Sequence, residues 1–270
     1  MSYFSNLGRR IPFEGMRVFN QTPSEYYKLS QPALNYEVIL DRLKQQDMAP
    51  QALSTDTFKH SAQSLLEKID GNSTYQNLLK GAHIPFAYAS PNDSGDLGGA
   101  IESKLLPSVQ KAFNDFYPDS HFKAVLQSNS ELTGNIQLAA DSKYEHFIEA
   151  AKKGIVIGWY FPQALQEFDV DSQRRQMKSL PALNGAEMCL SGAIDICAAV
   201  MGSPNLLINE EHYSPILCMS AYEHTDPRMV LLLKAYGPHL EFWCMSQMLT
   251  STTTQVSEQW AGGLSAFIKI

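Results

Sequence analysis

Apolar residues recur at helical spacing along much of the chain. The longest such stretch is Ala186–Met201, where Ala186, Cys189, Leu190, Ala193, Cys197, Val200 and Met201 follow one another at steps of three and four. Glu187, Ser191 and Asp195 fall at steps of four on the other face, as a stripe turned to solvent or to a partner. The pattern predicts a central helix whose small-residue seam lets neighbouring helices approach closely.

Helices are expected around it. One starts at Thr22-Pro23, carries Tyr26, Leu29, Ala33, Tyr36, Leu40 and Leu43 inward, and is kinked or divided at Pro32. A second is capped by Ser54 or Thr55 and stops at Asp70-Gly71. A short third covers residues 75–80. A helix of about 18 residues follows the turn-rich stretch 90–100, with Ile101, Leu105, Val109, Ala112, Phe113 and Phe116 inward and Pro118 closing it. Another is capped by Asp141 or Ser142 and stopped by Gly154, and a polar one starts at Asp169 or Asp171. Asp226-Pro227 reads as the start of a buried helix over 229–236, with Gly237-Pro238 ending it. A further helix carries Leu240, Trp243, Cys244, Gln247 and Met248. Residues 83–92 and 122–126 read as extended, and 264–270 as a terminal strand or a docked tail. The run Gly154–Phe161 suits a buried strand or an apolar helix, and its period does not separate the two.

These elements predict a mainly α fold: a single domain over residues 1–270 with about ten helices and room for a few short strands. Residues 1–80 form an N-terminal helical subdomain in this reading, and α+β is the second choice. The length is sufficient for a sizeable core. A net charge of −7 argues against nucleic acid as the main partner, which calls for a basic stripe. The four cysteines, Cys189, Cys197, Cys218 and Cys244, form no Cys-x-x-Cys pair, and no secretory signal stands at the N-terminus. No run of about 18 uncharged apolar residues suggests a membrane span. A reducing, cytoplasmic compartment is the expectation.

The motifs of nucleotide-binding loops, nucleophile elbows, zinc peptidases and carboxylate-bridged di-iron bundles are all missing. Besides Glu187, Ser191 and Asp195, whose two carboxylates could face one groove, three local features remain as candidates for chemistry. The stretch 212–243 gathers three of the seven histidines with carboxylates and aromatics. His224, His239 and Glu223 are its candidates for proton transfer, since histidine and carboxylates exchange protons near neutral pH and histidine also binds metals. Tyr222, Trp243 and His212 are its candidates for contacting a ligand. Secondly, Gly95, Gly98 and Gly99 precede a helix, where backbone N–H groups suit an anion, although Asp93 and Asp96 oppose one. Thirdly, Trp159, Tyr160 and Phe161 form an aromatic run before Pro162, suited to the core or to a ligand. The function expected is the binding of a small organic molecule in an interhelical pocket of the C-terminal half, with histidine acid–base or metal chemistry as the enzymatic form of it. The alternative is a non-catalytic module, an adaptor or effector that binds another protein. Cofactor and metal are left unassigned.

Overall fold

The computed structural model describes residues 2–20, 26–90, 95–126, 131–209, 213–246 and 257–270. Its elements run α1 (Tyr36–Gln45), α2 (Thr55–Asp70), a 3₁₀ turn (Gln76–Lys80), β1 (Ile84–Tyr88), α3 (Leu97–Ala100), a π-helical turn (Ile101–Leu105) and α4 (Leu106–Phe116). Then follow β2 (Phe122–Leu126), β3 (Ile136–Leu138), α5 (Tyr144–Lys153), β4 (Val156–Gln166), α6 (Val170–Ser179), β5 (Glu187–Leu190) and α7 (Ala193–Gly202). The remainder is β6 (Ile216–Cys218), β7 (Tyr222–His224), β8 (Met229–Tyr236), β9 (His239–Ser246) and β10 (Trp260–Lys269).

The mainly α expectation is overturned. About a third of the chain is helical and 27% is strand, organised by an eight-stranded mixed sheet. Its order is β1-β4-β10-β6-β8-β9-β2, with β5 also on β10; β3 and β7 form a separate pair. β10 lies against β4 along one edge and shares its other edge between β6, in parallel, and β5, antiparallel.

Three segments account for the error. The run over 229–236 is apolar at consecutive positions, a pattern that a buried strand satisfies as well as a buried helix. It pairs antiparallel with β9 from Met229↔Ser246 to Tyr236↔His239, so Gly237, at φ +58°, is a hairpin turn and not a helix stop. The helix expected over 240–248 is β9 as far as Ser246, and Gln247 and Met248 lie outside the described residues. The predicted central helix is also two elements: β5 ends at Leu190, Gly192 is extended, and only Ala193–Gly202 is helical. Every residue of α7 is buried, so no solvent stripe exists; Ser191 and Asp195 are fully buried while Glu187 is exposed. The undecided run at 154–161 belongs to β4, buried at all eleven positions.

The first helices follow the sequence more closely. Ser54 caps α2 by accepting from Thr57 N, and Asp169 caps α6 by accepting from Ser172 N. The first helix begins at Tyr36 under an Asn35 cap and not at Thr22-Pro23; Pro32 lies in irregular chain, and residues 21–25 lie outside the described set. α1 packs on α7 and α2 on β4, within one continuous core that reaches from Phe4 to Phe267.

Between α3 and α4 the helix widens. Leu106 N–H bonds to Ile101 O, five residues back. Pro107 explains the site: it has no N–H to return to Ser103 and its ring crowds that carbonyl, so the preceding turn opens.

Candidate functional site

The widened turn forms one wall of a cavity of about 600 Å³. Glu102, Ser103, Lys104 and Leu105 come from the turn itself, Asp96, Leu97, Gly99 and Ala100 from the helix start before it. Opposite them stand Tyr88 at the end of β1, Ile148 and Ala151 of α5, Ile194 of α7 and Tyr222 of β7. Volume and lining are those of a small-molecule site: mostly apolar walls with a few polar groups that can fix an orientation. π-helical turns recur at functional sites in general.

The polar groups of the rim are held in place. Asp96 accepts from Gly99 N at 3.0 Å and Gly134 N at 3.2 Å, and these N–H bonds hold its carboxyl below the usual range. Glu102 accepts from Leu132 N at 3.2 Å and from the Thr133 hydroxyl at 2.5 Å. Ser103 donates to Gly99 O. Lys104 Nζ stands 5.9 Å from the centre of the Tyr88 ring.

Tyr222 connects the cavity to a buried polar cluster. Its ring meets Tyr144 edge-on at 5.3 Å. Tyr144 in turn donates to Asp195 Oδ1 at 2.8 Å, beside the bond from Gly192 N at 2.9 Å. Asp195 Oδ2 accepts from the Ser265 hydroxyl, which lies 3.1 Å from the Ser191 hydroxyl. Burial raises the Asp195 carboxyl above its ordinary range, although each of these bonds pulls the other way. Burial, and then the Asp195 charge, raise Tyr144, Tyr222 and Tyr160 well above theirs. The buried Tyr160 hydroxyl has no hydrogen-bond partner among the described residues.

Arg174 fixes the start of β7. Its guanidinium donates to Ser220 O at 3.0 Å and to Tyr222 O at 2.9 Å, and pairs with Glu223 at 3.1 Å. A lysine there keeps the charge and loses the planar fork. Arg174→Lys is therefore expected to lower stability by about 1–2 kcal/mol, read as a lower urea midpoint at unchanged slope.

The residues chosen from 212–243 do not meet in one place. Tyr222 reaches the cavity. Glu223 pairs with Arg174. His224 is buried; its Nδ1 accepts from Asp226 N and its Nε2 donates to Glu131 O, so both nitrogens are engaged. His239 lies at the far hairpin, stacked on His121 at 3.6 Å and accepting from His121 N. Trp243 lies on β9, donating to Glu241 and covered by Lys234 at 4.4 Å. His212 lies outside the described residues. Among the described residues no three histidine, cysteine or carboxylate side chains could hold a metal.

Of the glycines, Gly99 lines the cavity, Gly98 packs against the backbone of Leu132, and Gly95 takes a φ of +80° with open space where a Cβ would stand. Asp96 receives the bonds from Gly99 N and Gly134 N that an anion would need. Asp93 lies outside the described residues. The aromatic run goes to the core, with Trp159 Nε1 donating to Ala62 O. Sequence reasoning missed Tyr144 and the turn at 101–105, and it placed Asp195 on a stripe with Glu187 that the structure divides between the core and the surface. The available signal for the turn was Pro107, placed inside an otherwise regular helical period. No known family model, curated protein or solved structure matches this chain.

Proposed function

We propose that the protein binds a small organic molecule in the cavity between the π-helical turn, α5 and Tyr222. The observation that carries this reading is a 600 Å³ cavity with largely apolar walls, whose Tyr222 packs edge-on against Tyr144, itself bonded to the buried Asp195. The site lies mainly on residues 88–105, with Thr133, and Ile148, Ala151, Ile194 and Tyr222 from the C-terminal half, completing it. None of the lining residues is a histidine, so the reading rests on binding and not on imidazole chemistry. A cytoplasmic setting is part of the proposal; its support is that Cys189, Cys197 and Cys218 are buried thiols outside any disulfide. No helix among the described residues is long and apolar enough to cross a membrane.

The neutral dye N-phenyl-1-naphthylamine tests the site. Its fluorescence is expected to rise on binding at one site per chain. Ala100→Trp and Ile148→Trp fill the cavity from opposite walls, and each is expected to weaken the dye at least about tenfold while the fold is kept, a loss of about 1.4 kcal/mol. Dye binding that ignores both tryptophans overturns the reading. A second reading, docking of another protein, draws on Tyr3, Ile11, Phe13, Phe19 and Tyr26, which are exposed along the N-terminal arm.

A further inference from the structure

The polarity of the cavity names a class of ligand, an inference that rests on the binding reading above. The lining holds two carboxylates, Asp96 and Glu102, against one ammonium, Lys104. The carboxylates are fastened by N–H and hydroxyl donors. Asp96 stays ionised because those donors favour its charged form. Lys104 sits on a flexible four-carbon stem and is only half-buried, so it can withdraw to water. The fixed charge of the site is therefore negative.

The Tyr88 face, where Lys104 Nζ stands 5.9 Å from the ring centre, already meets a positive charge. Leu97, Leu105, Ile148, Ala151 and Ile194 supply the apolar remainder.

We infer that the ligand is an organic monocation, a protonated amine carried on an apolar body of ring size, with its ammonium between Asp96 and Glu102. Lys104 acts against this charge and lowers the affinity of the site.

Competition against bound N-phenyl-1-naphthylamine separates the possibilities, using 2-(1-naphthyl)ethylamine, 2-(1-naphthyl)ethanol and 3-(1-naphthyl)propanoate as matched cationic, neutral and anionic probes. The amine is expected to displace the dye at about tenfold lower concentration than the alcohol, and the propanoate is expected to be the weakest. Glu102→Gln should weaken the amine severalfold and leave the alcohol nearly unchanged. Lys104→Ala, a change at the half-exposed rim, should strengthen the amine severalfold. Equal or tighter displacement by the alcohol or the propanoate, or a weaker amine in Lys104→Ala, overturns the inference and leaves the binding reading standing. Dye that stays bound in Ala100→Trp and Ile148→Trp overturns the binding reading itself, and this inference with it.

Discussion

Gly98→Ala is expected to be among the most damaging single methyl groups that can be added to this protein. A Cβ at Gly98 would stand 1.7 Å from Leu132 O and 2.2 Å from Leu132 C, so backbone must move to admit it. Overpacking against backbone puts the cost at about 3 kcal/mol, read as a drop in thermal midpoint. The displaced segment carries Leu132 N and Thr133, the partners of Glu102, so dye binding should fall in the same variant. Neighbouring glycines give the contrast. Gly95→Ala meets nothing within 4 Å and is expected to lose only about 1 kcal/mol through its positive φ. Gly99→Ala places its methyl 2.5 Å from Asp96 Oδ2, a side chain that can shift, so its effect should lie between the two and act on the cap. A wild-type midpoint in Gly98→Ala would show that the 132–133 segment yields freely.

Asp195→Ala is the second large effect. It leaves Gly192 N–H, the Tyr144 hydroxyl and the Ser265 hydroxyl without their acceptor in a fully buried place. Each orphaned group costs about 1–3 kcal/mol, and with partial relaxation a total near 4 kcal/mol is expected. Asp195→Asn keeps an acceptor oxygen and should lose less. The two carboxyl forms also predict a pH signature. The folded carboxyl titrates above its unfolded value of 3.8, so the native state binds the extra proton. Stability from this group is therefore greatest below 3.8 and is lost as pH rises towards the folded value. The stability gap between wild type and Asp195→Asn should accordingly narrow as pH rises from 3.8 upward. A gap that stays constant or widens, followed by chemical denaturation at several pH values, would contradict the burial account.

The same residues show what the sequence made legible. Caps and stops were readable where they act locally: Ser54 before α2, Asp169 before α6 and Asp96 at the start of α3. Long-range pairing was not. Met229 to Leu233 is apolar at every position, and only β9 and β6 beside it make it a strand. Asp195 fits a polar stripe by spacing alone, yet α7 is enclosed on all sides and its carboxyl meets Ser265 from 70 residues away. The site was split for the same reason. Tyr222 stood out because it lies among other chemistry-bearing residues, whereas Lys104 and Glu102 lie in a helical period that gave no sign of a cavity. The histidines drew attention by density in sequence, but β7 and β9 belong to different sheets, so His224 and His239 never converge.

The position of β10 bears on how the molecule is made. Strands β4, β5 and β6 all take their edges from β10, the last of the described strands in chain order. On the ribosome, β4 would emerge about 100 residues ahead of its main partner and wait with an open edge and side chains that are all buried in the finished fold. At about 5–20 residues per second that wait lasts on the order of five to twenty seconds. A nascent chain in this condition is a natural client for a holding chaperone until residue 269 has cleared the exit tunnel, and the sheet then closes around its final strand in one late step.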